Sequence, residues 1–161
     1  MVAVETSTGQ DVKAFADHVQ STLNNTQRGW ITSGRWGFQR VVAAPADFTV
    51  WLATPVTTDT ICARYGLRTE GKVSCRGGPN VVINLDRWRF GIPAYEGQVG
   101  QYQHLVINHE VGHFLGFLHV LCPGAGRPAP VMQTQFYGMN GCVPNVWPYA
   151  EDGTFLTGPP P

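Results

Sequence analysis

The chain has 161 residues, 43% of them hydrophobic and 14% charged, and its 11 basic and 11 acidic side chains cancel. That length suits one domain able to bury about two-thirds of its unfolded surface. A zero net charge with no block of like charges argues against a nucleic-acid partner, and the apolar runs fall well short of the roughly 20 residues that cross a bilayer.

Residues 1–161 read as a single domain, with no internal repeat and with flexible ends at 1–9 and 156–161. The opening Met1-Val2-Ala3-Val4-Glu5-Thr6-Ser7 lacks the basic and apolar regions of a signal peptide. Residues 10–23 place Val12, Phe15, Ala16, Val19 and Leu23 at helical spacing, which predicts an amphipathic helix lying on a sheet with His18 at the surface. Residues 38–43 and 48–53 are rich in β-branched and aromatic side chains, and Pro45-Ala46-Asp47 between them reads as a turn, so two strands are expected. Gly77-Gly78-Pro79-Asn80 then breaks the chain before a short strand over 81–85. Asn84 and Asp86 fit strand-end or turn positions better than catalytic ones.

A long helix should begin at Gly100 or Gln101. Leu105, Val106, His109, Val111, Gly112 and His113 give it an almost continuous apolar or small face, so it is buried. His104, five residues before His109, is rotated off that face and reads as structural or solvent-facing. Asn108 either braces the helix or has no special role. Residues 143–149 are extended and punctuated by proline, and 158–161 should fray. Trp88 and Trp147 are expected in the core rather than in a cleft. The pattern as a whole is α+β, with its chemistry in the second half.

That chemistry centres on His109-Glu110-Val111-Gly112-His113-Phe114-Leu115-Gly116-Phe117-Leu118-His119. Residues four apart share one helix face, so His109 and His113 can offer two imidazoles to one metal ion with Glu110 beside it. Each helical residue advances about 1.5 Å, so His119 would be carried away from the metal unless the helix stopped first. Gly116 tolerates the left-handed conformation that ends helices and can swing His119 back. Zinc held by three protein ligands keeps a position for water, whose proton Glu110 can accept as general base. A bare HExxH pattern does occur by chance in proteins that bind no metal. The added glycine and third histidine each lower the odds of coincidence roughly tenfold or more. A three-histidine site accepts several divalent transition ions, of which zinc is the one expected here.

At these residues the chain resembles the metzincin metallopeptidases, whose signature HExxHxxGxxH is followed by a turn containing methionine beneath the metal. Pro130-Val131-Met132-Gln133 supplies that turn, with Met132 as its methionine. Further blocks are similar to an actinobacterial family of exported metzincin-like domains: Val81-Val82-Ile83-Asn84-Leu85-Asp86-Arg87-Trp88, Asn108-His109-Glu110, Cys122-Pro123-Gly124, Ala129-Pro130-Val131-Met132 and Gly141-Cys142. The residue after the third histidine, distinctive in well-studied metzincin subfamilies, is Val120, which assigns the chain to none of them. The resemblance implies a compact zincin with a twisted, mostly parallel sheet, an N-terminal helix and a buried zinc-binding helix. It also implies a substrate-lining edge strand just before that helix, and one catalytic Zn2+. Some metzincins use a tyrosine near the turn as a metal ligand or transition-state donor. Tyr137 can serve, but its five-residue offset from Met132 favours packing; Tyr149 is a weaker candidate.

Four cysteines permit three connectivities. Cys62 with Cys75 and Cys122 with Cys142 is the preferred pairing, each closing a local loop. A rival role for Cys122 as zinc ligand or reactive thiol is weakened by the three histidines and by the lack of a CxxC pair. Disulfides imply an oxidising compartment, so the expected location is extracellular or the cell envelope, with the export signal not in this sequence. The function expected is a monomeric zinc endopeptidase acting on an extended peptide or protein. Alternatives are a zinc amidase acting on a cell-wall or other non-protein amide, and a non-catalytic exported zinc module that binds peptides.

Overall fold

Four strands form one sheet in the order β1 (Val2–Val4), β2 (Thr49–Ala53), β4 (Asn80–Asn84), β3 (Cys75–Gly77); the computed structural model describes residues 1–161. β1 runs parallel to β2 and β2 parallel to β4, while β3 is antiparallel to β4. The architecture is therefore α+β with a mostly parallel sheet. The two central strands are covered on both faces, which is why β4 reads Val81-Val82-Ile83 without alternation and all three are fully buried.

Successive side chains of β4 serve different layers. Val81 and Ile83 join the main core with Phe15, Val19 and Leu23 of α1 (Val12–Leu23) and Leu105, Val106 and Val111 of α4 (Val99–Phe114). Val82 points the other way, into a smaller cluster with Ala53, Cys75 and Cys62. Cys62 belongs to α2 (Pro55–Ala63), a helix the residue pattern did not announce. The Thr54 hydroxyl caps it by accepting from Thr57 N–H, and Pro55 opens it. A short α3 (Leu85–Phe90) follows β4 directly, capped by the Asn84 side chain, which accepts from the N–H groups of Asp86 and Arg87. Asn84 thus holds the strand-end position expected of it. α1 starts where expected, with the Asp11 carboxylate accepting from Lys13 and Ala14 N–H.

Several expectations are corrected. Residues 38–43 form no strand, because the ladder beside β2 is already taken by β1. Val42 is 97% exposed and Phe38 packs edge-on against Phe48 instead. β-Propensity measures fit to a half-buried pleated surface, and no such surface meets this segment. Residues 1–9 are not a flexible end: Val2, Ala3 and Val4 pair with Val50, Trp51 and Leu52, and the Glu5 carboxylate accepts from Thr54 N–H at 2.8 Å. The C-terminus is likewise tied down, since Leu156 N–H donates to Pro148 O and Leu121 N–H to Pro159 O, both at 2.8 Å.

The strand preceding α4 is not the edge strand either. β4 is internal; the edges are β1 and β3, and β3 is the one beside β4. Cys62 and Cys75 form a disulfide between α2 and β3, and Cys122 and Cys142 form the second, with Cα separations of 6.3 and 5.8 Å. No cysteine is free, which removes Cys122 as ligand or nucleophile. No helix is long and apolar enough to cross a membrane, and two disulfides are consistent with an extracellular or envelope location.

Candidate metal centre

α4 is the only element that contributes two imidazoles. His109 and His113 lie one turn apart on it, and the helix ends at Phe114. Gly116 takes φ +96°, Phe117 N–H donates back to Gly112 O at 3.0 Å, and Gly116 N–H to His113 O at 3.2 Å. This closure satisfies the last carbonyls of the helix and reverses the chain. The Phe117 ring stacks on fully buried Trp30, 4.8 Å between centroids, which anchors the reversal to the core. Trp30 in turn donates its indole N–H to Asn108 O, and the Asn108 amide donates to Val146 O. Asn108 is therefore a brace.

The reversal brings His119 to its partners. Its Nε2 lies 3.0 Å from His113 Nε2 and 3.2 Å from His109 Nε2. On two of the rings the outward nitrogen is already engaged: His109 Nδ1 is 2.6 Å from Val131 O, and His113 Nδ1 is 2.9 Å from Phe117 O. A carbonyl only accepts, so each Nδ1 must carry the proton and each Nε2 must present a lone pair. Two lone pairs fixed in this way, with the His119 Nε2 converging on the same point, form a site that can accept a cation. Tetrahedral zinc with Zn–N bonds of about 2.0–2.1 Å requires nitrogens about 3.3 Å apart, close to the spacing found. The three residues His109, His113 and His119 can thus hold a metal ion. Burial lowers the pKa of all three imidazoles, that of His109 to about 3, with His113 adding repulsion. Each is neutral and ligand-ready at ordinary pH.

Beneath the rings runs the 130–133 turn, closed by Gln133 N–H donating to Pro130 O at 3.0 Å. Met132 is 3% exposed and its sulfur lies against Gly112, where a β-carbon would overlap it. The turn touches both ends of the ligand set. Val131 O orients His109, and Met132 O accepts from Val120 N–H, next to His119, at 3.2 Å. The Cys122–Cys142 bridge closes the chain around this turn.

Glu110 is 6% exposed, and burial alone pushes its carboxyl up to about 8. It shares with the three histidines a cavity of about 270 Å³, walled on one side by Thr69 to Arg76 and on the other by Gln133 to Tyr137. Tyr137 does not pack into the core; it is 78% exposed at the cavity rim, edge-on to Phe136. Trp88 is in the core against Phe15, and half-buried Trp147 packs on His104, so neither lines the cavity.

His18 departs from expectation. Rather than lying at the surface, it is half-buried between Trp88 and His104, with centroids 5.2 and 4.5 Å away. His104 is structural, its Nδ1 2.7 Å from the Thr22 hydroxyl. Sequence reasoning missed Arg68, Arg76, Gln133 and Gln135 as cavity residues. One signal pointed to Arg76: Cys75 in a disulfide fixes one face of β3, and its neighbour must take the other.

Over residues 1–143 the chain matches a family model described as "Protein of unknown function (DUF3152)". Neither the curated proteins nor the solved structures contain a match to it.

Proposed function

The chain belongs to the DUF3152 family, and we propose that it is a metal-dependent hydrolase, specifically a zinc endopeptidase with Glu110 as general base. The observation that carries this reading is a buried carboxylate in one cavity with three converging imidazoles. A purely structural zinc usually takes a fourth protein ligand, and the cluster holds only three such side chains.

Zinc held by His109, His113 and His119 would supply Lewis acidity toward a carbonyl oxygen and toward water. The chain's own groups do the rest. His109 and His113 are held in one tautomer by Val131 O and Phe117 O, so their lone pairs need no rearrangement. Glu110, buried in the same cavity as the three imidazoles, would accept a proton from water and return it to the leaving amine. β3 offers an extended peptide a free sheet edge along which main-chain hydrogen bonds set its register. Tyr137, at the cavity rim, is the candidate donor to the developing oxyanion.

The test is metal content by elemental analysis, paired with digestion of an unbiased peptide library by wild type and Glu110→Ala. About one zinc per chain, with cleavage lost in the variant, supports the reading. Zinc without cleavage points to a non-protein amide substrate or a peptide-binding module. Failure to bind added zinc rejects the reading altogether.

A further inference from the structure

The cavity holding the three histidines contains one carboxylate, Glu110, and two guanidinium side chains, Arg68 and Arg76. The ion pairs of the molecule are Lys13–Asp17, Arg40–Asp17 and Lys72–Glu70, so neither arginine has an acidic partner. Arg76 is the better placed of the two. It is the middle residue of β3 and sits opposite Val81 of β4. Directly opposed residues share a face, and Val81 lies in the core with α4, so Arg76 projects over the metal helix. Its guanidinium lies 5.9 Å from the ring of Phe114, the residue after His113. Cys75 points to the other face and is tied to α2 by the disulfide, which fixes the strand carrying Arg76. Its Nε is buried and has no hydrogen-bond partner.

A buried guanidinium N–H without an acceptor is costly to maintain. Arginine presents a planar fork matched to a carboxylate. We infer that Arg76 is a specificity-determining residue that binds a carboxylate of the substrate, so the enzyme acts on peptides carrying an acidic group beside the scissile bond. The inference rests on the proposed hydrolase reading for its site, but not for its test. The carboxylate has two sources, an acidic side chain or the C-terminus of the peptide.

The experiment uses the full chain as zinc-loaded Glu110→Gln, so that bound peptides are not consumed. Blocked alanine hexapeptides carry a single Glu, Gln or Lys at each position in turn, and a parallel set compares free with amidated C-termini; affinity is read by isothermal titration. The expected result is a position at which Glu binds ~10-fold or more tighter than Gln. The ratio should fall to about one in the added Arg76→Gln variant and invert toward Lys in Arg76→Glu, by the same charge-pairing argument. A preference confined to the free C-terminus identifies that source. Equal binding of Glu and Gln at every position with no C-terminal preference, or a carboxylate preference that survives Arg76→Gln in a folded protein, overturns the assignment. Turnover by wild type is read separately, so selective binding without cleavage rejects the endopeptidase reading while leaving the role of Arg76 intact.

Discussion

The sulfur of Met132 rests against Gly112 at the position where a β-carbon would overlap it. This contact joins the metal helix to the turn whose carbonyls orient His109 and hold the strand of chain next to His119. Gly112→Ala tests it because two effects oppose. Alanine in a helix interior gains about 1 kcal/mol over glycine, whereas overpacking a closed core costs about 1–3 kcal/mol. The methionine can shift, but the Trp30 ring at 2.9 Å from the new atom is rigid and fully buried. Overpacking therefore wins. Gly112→Ala should lower stability in denaturant titration and weaken zinc binding at least as clearly; equal or higher stability would show that the turn is not clamped there.

Removing His119 should separate metal binding from folding. His119 is the exposed member of the triad, while His109 is held against the buried turn. His119→Ala should cost zinc affinity by on the order of 100-fold or more, since a two-imidazole site lacks the ligand count of a catalytic zinc site. In chelator its melting temperature should stay close to that of wild type. Zinc in excess should raise the wild-type melting point in proportion to RT ln(1 + [Zn]/Kd), about 4 kcal/mol at a thousandfold excess over Kd, and should barely move the variant.

Much of this site is legible in the residue order because its causes are local. The i, i+4 pairing of His109 and His113, the positive φ of Gly116 and the return of His119 all follow from helix geometry across eleven residues. The contribution of Arg76 is not local. It depends on which strand ends at the sheet edge, a question settled by the strand order, in which β1 takes one edge beside β2 and β3 the other beside β4. The same tertiary choice turned residues 38–43 into a loop despite their β-prone composition. Helix α2 escaped notice because Thr57, Thr58 and Thr60 dilute its apolar face, and its burial is concentrated at Thr58 and Cys62.

The Cys122–Cys142 bridge closes a separation of 20 residues around the methionine turn. Loop-closure entropy assigns such a cross-link about 3 kcal/mol. Cys122→Ser with Cys142→Ser should lose about that much stability and also weaken zinc binding, because His119 leads into the bridged segment. The Cys62–Cys75 double serine variant should lose comparable stability yet keep zinc affinity, since that bridge holds β3 rather than a ligand. If both pairs weaken zinc binding equally, the division of labour between the two bridges fails. Equilibrium unfolding and competitive zinc titration of each pair supply the measurement.

The stacked rings of His18 and His104 make the fold sensitive to acid far from the metal. Burial lowers the pKa of both, and that of His18 falls to about 4, with repulsion from His104 as the second cause. His18 Nε2 is buried without a partner, so a proton there would be neither hydrated nor paired. Trp88 faces the ring from α3 and His104 from α4, and neither brings a negative charge. Below its ordinary pKa of 6.5 the unfolded chain binds a proton that the folded chain refuses until about pH 4. Stability is therefore complete above pH 6.5 and declines as the pH falls through that window, by less than the full shift implies because the half-buried ring is partly screened by solvent. His18→Phe removes the titrating group while keeping an aromatic ring between Trp88 and His104. In zinc-free protein its stability should fall less steeply between pH 6.5 and 4 than that of wild type, as read by urea unfolding at each pH. Parallel curves for the two proteins would locate the acid sensitivity elsewhere.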